Sequence, residues 1–207
     1  MYTHFIFGSF LSRRSADREM ASTFAILVTM ALVMLSTTAR ADTIDLCGDY
    51  DEDVFVTKDD EVTMSCQVFI KEGAAIYIGE GSTICARNTG IEDLKPPTLV
   101  VERGAKIFAT GTSEEPITFT SCDVSEENRI TAAGLWGGLV IVGRGVTAQT
   151  SLGTNANNDP EIEGLPGEFY GGDDPMDDSG VLQYVRVWYG GAAVSPDSEI
   201  NGTSLLD

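Results

Sequence analysis

Between Gly171 and Gly180 the chain reads GGDDPMDDSG, which places four carboxylates, Asp173, Asp174, Asp177 and Asp178, within six residues. Charges that close repel one another unless water or a cation lies among them, and hard oxygen donors on a glycine-bearing loop suit Ca2+. The spacing is not that of an EF-hand. A hydrated acidic loop is therefore one reading, and a Ca2+ site on these four residues is the other. A second acidic run, DYDED, alternates Asp49, Asp51 and Asp53, but Val54 stands where a calcium loop needs glycine. A charged cap over the first strands explains that run more simply.

The segment YVRVW offers a different chemistry. Strand alternation that turns Val185 and Val187 inward sends Tyr184, Arg186 and Trp188 outward on one face, about 7 Å apart. Two rings around a guanidinium suit a sugar ring and its hydroxyls or carboxylate, so these three residues form the expected glycan-binding patch. The competing reading is that they stack on one another. Trp136, followed by Gly137 and Gly138, reads as packing with close backbone approach. Asn201-Gly202-Thr203 is the sequence's one Asn-x-Ser/Thr acceptor. It is a glycosylation candidate in a eukaryotic secretory host and otherwise a turn.

Other chemistries are excluded by what is missing. The single histidine, His4, lies in a stretch that reads as a leader: Arg13, Arg14 and Arg18, an apolar run from Phe24 to Leu35, then Ala39-Arg40-Ala41. We expect residues 1–41 to carry a signal peptide and the protein to be secreted or held at the cell surface. The apolar run is short against the roughly 20 residues that cross a bilayer, so no stable membrane span is expected once it is removed. Without His4 neither a Ser-His-Asp nor a Cys-His centre, nor an imidazole metal site, can be built. Cleavage after Ala41 removes four of the 13 basic and two of the 32 acidic residues, which takes the formal net charge from −19 to −21. Such a surface repels nucleic acid.

Four cysteines at 47, 66, 85 and 122 suit two disulfides in an exported chain. Three connectivities are possible, and pairing of neighbours, Cys47 with Cys66 and Cys85 with Cys122, is the first expectation. Zinc is disfavoured, because no Cys-x2-Cys pair is present.

The elements that carry these residues are short. VFIKEGAAIYIGEG at Val68–Gly81 aligns without a gap on LVVERGAKIFATGT at Leu99–Thr112, with Gly73 over Gly104. Each copy is strand, charged pair, Gly-Ala turn, strand, with a third short strand following at Thr83 or Ile117. Strands starting every eight to ten residues leave no room for helical crossovers, and no ten-residue helical period follows Ala41. The chain reads as all-β, and an echo 31 residues later suits a solenoid whose coils stack like on like. We expect one β-helix domain over 42–207, with loop insertions at 86–97 and 148–180. The alternative is a β-sandwich of antiparallel hairpins, which has no need of matching phrases.

GLWGGLVIVG (Gly134–Gly143), IEGL (Ile162–Leu165), YGG (Tyr170–Gly172), DDSGVLQYVRV (Asp177–Val187) and EINGTSL (Glu199–Leu205) follow one another in an order that resembles a broad family of secreted surface proteins, mostly bacterial and largely uncharacterised. The resemblance implies a right-handed parallel β-helix and carries no catalytic residues. Similar proteins continue through further coils, so the solenoid is expected to be incomplete at its C-terminal end. The function expected is a non-catalytic extracellular or cell-surface β-helix that is structural, adhesive or glycan-contacting, with an extracellular glycan or a surface protein as partner. The alternative is a polysaccharide lyase or glycoside hydrolase of β-helix type. Ca2+ is the one cofactor considered.

Overall fold

The computed structural model describes residues 41–88, 95–146, 159–195 and 198–206. The leader expected over residues 1–41 lies outside them except for Ala41, as does the first part of the 148–180 loop.

Strands wind in successive coils around three faces. The first coil is β1 (Thr43–Tyr50) and β2 (Val54–Val56); the second is β3 (Glu61–Ile70) and β4 (Ala75–Ile78). The third coil is β5 (Thr83–Ala86), β6 (Thr98–Val101) and β7 (Lys106–Thr110), and the fourth is β8 (Ile117–Ser121), β9 (Gly138–Val142) and β10 (Gly180–Gln183). Then come β11 (Val185–Val187), a small hairpin of β12 (Ala193–Ser195) and β13 (Ser198–Glu199), and β14 (Gly202–Leu206).

Face one stacks the first halves of β1 and β3 with β5, β8 and β11. Face two stacks their second halves with β6, β9 and β14. Because β1 and β3 run through the corner, these two faces are one eight-stranded sheet. Face three is a separate sheet in the order β10-β7-β4-β2. Every pairing between coils is parallel, and β12 with β13 is the one antiparallel strand pair among the described residues. The chain is a parallel β-helix, and the sandwich alternative is set aside by the parallel neighbours.

The echo in the sequence is an echo in space. Val68 lies beside Leu99 and Ile76 beside Ile107, at the offset of 31 residues that the alignment demands. The third strand slips by one, since Thr83 pairs with Thr118 rather than Ile117. Ala86 still belongs to β5, so the first insertion begins one residue later than expected.

Alternation turns every second side chain inward. Val62, Ile84 and Phe119 on face one, Leu99 and Leu139 on face two, and Ile76 and Ile107 on face three fill the coil interior. A single coil leaves these residues wet from above and below, whereas stacking buries them. Two disulfides tie adjacent coils at face one and its corner: Cys47–Cys66 joins the first two, and Cys85–Cys122 joins the third to the fourth.

The outward sides differ. On face two Val100 and Val140 point away from the coil yet are fully buried, because a second apolar cluster covers them. That cover comes from Ile162 and Leu165, from Ile200, and from partly buried Tyr170 and Val194. On face three the outward row is Phe55, Tyr77 and Phe108, three rings stacked at centroid distances of 5.0 and 5.1 Å.

Candidate functional site

The corner between faces two and three repeats a charged turn on each coil: Lys71-Glu72 after β3, Glu102-Arg103 after β6, and Arg144 after β9. Backbone bonds fix the rungs one above another, with the Glu102 amide donating to the Ile70 carbonyl and the Gly73 amide to the Gly104 carbonyl. Side chains then pair between rungs. Lys71 bridges to Glu102, and Arg144 reaches across the middle rung to Glu72. That reach requires glycine at 104, where a Cβ would stand 2.5 Å from the Arg144 guanidinium and the backbone is left-handed at φ +79°.

A strap from Asp159 to Gly171 lies along this corner. Its ends meet in a narrow hairpin, with the Tyr170 amide donating to the Pro160 carbonyl, the Ile162 amide to the Glu168 carbonyl, and an antiparallel bridge between Glu161 and Phe169. Ile162 and Leu165 pin it to the second core. Arg103 clasps it from the coil side, donating through Nη1 to Asp159 Oδ2 at 2.7 Å and to the Gly171 carbonyl at 2.9 Å.

Strap and corner enclose a polar groove. One hollow of about 180 Å³ is lined by Glu72, Glu102, Arg103, Glu168 and Phe169. A second of about 520 Å³ is lined by Arg103, Arg144, Asp159, Gly171, Gly172 and Asp173, so Arg103 is a wall of both. Burial pushes the Glu168 carboxyl above the ordinary range, and the negative charges of Glu102 and Asp49 push it the same way against the opposing pull of Lys71 and Arg103. Burial pulls the Lys71 ammonium down, but its bond to Glu102 and the charges of Glu102, Asp49 and Glu168 outweigh this, and the net shift is upward. The groove thus holds one carboxyl biased toward its protonated form amid paired charges. A third hollow, of about 380 Å³, is walled by Ile107, Ile141, Leu182 and Leu205, with Asp177 and Asp178 on its rim. Its lining mixes these apolar side chains with the polar Asp177, Asp178 and Ser179.

The residues marked in the sequence are distributed differently. Asp173 lines the groove. Asp174 Oδ1 accepts from the Met176 amide, Asp177 Oδ2 accepts from the Arg144 amide, and Asp178 accepts from the Gly180 amide and Lys106. Three of the four carboxylates thus hold their own turn or its neighbour. Among the described residues no group of three or more His, Cys, Asp or Glu converges on a metal-sized site. In DYDED, Asp53 accepts from the Ala75 amide and so joins two coils.

Arg186 lies over the Trp188 ring, 5.7 Å from its centroid, and Tyr189 meets that ring edge-on. Tyr184 is a corner residue with φ +50°, so strict alternation does not extend back to it. Trp188 is 46% exposed and Tyr184 54%. Trp136 is fully buried and donates to the Trp188 carbonyl. Asn201 is exposed just before β14.

Sequence reasoning missed the corner groove and the aromatic row. The gapless echo already contains part of each, since it sets Glu72 over Arg103 and Tyr77 over Phe108. Glu168 carries no such signal, because it comes from a strap that has no counterpart on other coils among the described residues.

A three-faced parallel solenoid with a polar groove beside one corner defines the class, a parallel β-helix. A family profile for the pectate-lyase-like β-helix domain matches residues 48–207, and the chain belongs to that family. Comparison with curated proteins and with solved structures finds no match.

Proposed function

We propose that this is an extracellular β-helix that holds a glycan in the corner groove without cleaving it. The observation that carries the reading is the arrangement around Arg103. It walls both hollows, and its guanidinium is fixed to Asp159 and Gly171, so the groove presents preset donors and acceptors rather than a free base. Lys71 is likewise tied to a carboxylate of the neighbouring rung, and Arg144 to one two rungs away. Phe169 and Val142 add apolar surface to a lining rich in charged groups, the mixture that sugar rings match. The two disulfides and the leader-like first 41 residues support an extracellular setting. The test is glycan-array binding of the parent against Arg103→Ala. Loss of signal in the variant supports the groove, and equal signals remove it. Trp188→Ala in the same assay reads the separate patch of Tyr184, Arg186 and Trp188.

One observation favours a second reading, glycoside hydrolysis. Glu168, biased toward its protonated form and sensing the charge of Glu102, is the type of acid that protonates a leaving oxygen beside a second carboxylate. Release of reducing ends from a bound polymer, abolished in Glu168→Gln, would establish it. Ca2+ binding at Asp173, Asp174, Asp177 and Asp178 is read by melting with Ca2+ against chelator, where an unmoved midpoint rejects it.

A further inference from the structure

Five carboxylates line the two hollows of the groove, those of Glu72, Glu102, Asp159, Glu168 and Asp173, against two guanidinium groups, Arg103 and Arg144. The cations are tied to the chain's own acids. Arg103 pairs with Asp159, Arg144 with Glu72, and Lys71, beside Glu72 in the same turn, with Glu102. Two carboxylates remain, and among the described residues neither Glu168 nor Asp173 forms an ion pair. They are divided between the hollows: Glu168 lines the smaller and Asp173 the larger, with Arg103 a wall of both. Glu168 is half-buried, where the charges of Glu102 and Asp49 oppose its own, and Lys71 and Arg103, bonded elsewhere, do not cancel them. Phe169, the next residue, places an aromatic ring in the same lining.

We propose that the glycan held here bears free amino groups, as a de-N-acetylated hexosamine polymer does, and that its ammonium groups meet Glu168 in one hollow and Asp173 in the other. This ligand class rests on the reading of the groove as a glycan site. An ammonium supplies three donors and the positive charge that neither carboxylate receives from an ion pair within the chain. Phe169 gives the sugar ring an apolar surface beside the first of these contacts. A polyuronate has the opposite fit. Its carboxylates would meet Glu168 and Asp173, and a guanidinium turned to receive one would leave Asp159 or Glu72 unpaired. Like charges across an interface oppose binding. An N-acetylated hexosamine polymer lies between the two, since it brings no charge of either sign.

Calorimetric titration with three oligomers of equal length makes the test: a hexosamine oligomer with free amines, its N-acetylated form, and a galacturonate oligomer, in a buffer that keeps the amines protonated. The parent should bind the free amine at least about tenfold more tightly than the N-acetylated form and should not bind the galacturonate. Glu168→Gln with Asp173→Asn should abolish that preference. Glu80→Gln with Glu127→Gln makes the same change in net charge at exposed positions outside the lining and should leave the preference in place. This pair separates the groove from the general attraction of a polycation to a chain of net charge −19. Asp173→Asn alone, at an exposed position, should reduce the preference, which keeps the test available if the double variant folds poorly. Galacturonate bound as tightly as the amine, or equal losses in the two double variants, would overturn the proposal. If the N-acetylated oligomer binds as well as the amine and Arg103→Ala removes both, the groove stands as a glycan site and the ammonium preference falls. If no oligomer binds, both fall.

Discussion

The outward sides of faces two and three grow from the same strand-turn-strand phrase, yet one is roofed and the other is bare. On face two the outward row is aliphatic, Val100 and Val140, and the strap and the segment around Ile200 bury it in a second core. On face three the outward row is aromatic, and the rings shield one another: Tyr77, with a neighbour on each side, is 36% exposed, while Phe55, at the end of the row, is 63% exposed. An outward aliphatic row needs a cover because it has no means of self-shielding beyond strand spacing. Stacked rings at 5 Å partly supply their own. Stacking also turns the ring faces toward each other, so the row presents edges to solvent and is a poor platform for sugars. The groove lies at the boundary, where the roof ends and the bare face begins.

The largest effect should come from placing a charge on each outward row. Val140→Asp buries an unpaired carboxylate and should cost more than about 4 kcal/mol, enough to prevent recovery of folded protein. Val181→Asp continues the bare row beside Phe108, where the site is 47% exposed, and should change stability by about 0.5 kcal/mol or less. Denaturant melts of the two variants measure the contrast, and equal shifts would erase the distinction between the faces. Leu165→Ala comes next. It removes a strap anchor that is 3% exposed and should cost about 2–5 kcal/mol. If the roof is an independent layer, circular dichroism should keep its β signal while exchange across residues 159–172 rises. Loss of the whole fold would show roof and coil to be one cooperative unit.

Tyr77→Ala sharpens the other side. The ring is the middle of three and makes both contacts of the row, each worth about 0.5–1.5 kcal/mol beyond buried area. A loss of about 1–3 kcal/mol is expected in urea melts, and Tyr77→Phe should recover most of it. A Tyr77→Ala variant as stable as the parent would make the row a passive surface rather than a brace between coils.

How legible all this was depends on whether an element repeats. The coil could be read because Val68 and Leu99, or Ile76 and Ile107, recur with the same neighbours at a fixed offset, and stacking rewards that recurrence directly. The neighbour pairing of cysteines follows from the same logic, since residues one coil apart meet at a corner. The strap has no echo, so nothing in its composition announced that Glu168 would face Glu102 across a corner 66 positions earlier in the chain. The acidic run at 173–178 was ambiguous for the opposite reason. Four carboxylates close in sequence suit either a hydrated loop or a cation, and in the structure Asp174, Asp177 and Asp178 each accept from a nearby amide, the usual work of aspartate in a turn. The three residues of YVRVW expected to line one face are all exposed while Val185 and Val187 between them are half-buried, and Tyr184 stands at a left-handed corner just before the strand.

The smallest expected effect tests the boundary itself through two ion pairs on its opposite sides. Arg103–Asp159 lies under the strap, with side chains 31% and 14% exposed, whereas Lys106–Asp178 spans the open edge at 42% and 66%. A double-mutant cycle on the first pair should give a coupling of about 1 kcal/mol, because partial burial and a second bond to Gly171 limit screening by water. The second pair should give a coupling indistinguishable from zero in 0.5 M salt, a concentration at which the screening length is about 4 Å. Asp178 is nevertheless held below its ordinary value, first by the Gly180 amide and then by Lys106. Whatever it contributes is therefore present above the normal aspartate range and disappears as pH falls through the lowered value. Because the amide bond is the largest single cause, Lys106→Ala should leave part of that acid dependence in place. A dependence that vanishes with Lys106 would move the charge pair, rather than the turn, to the centre of how this edge is held.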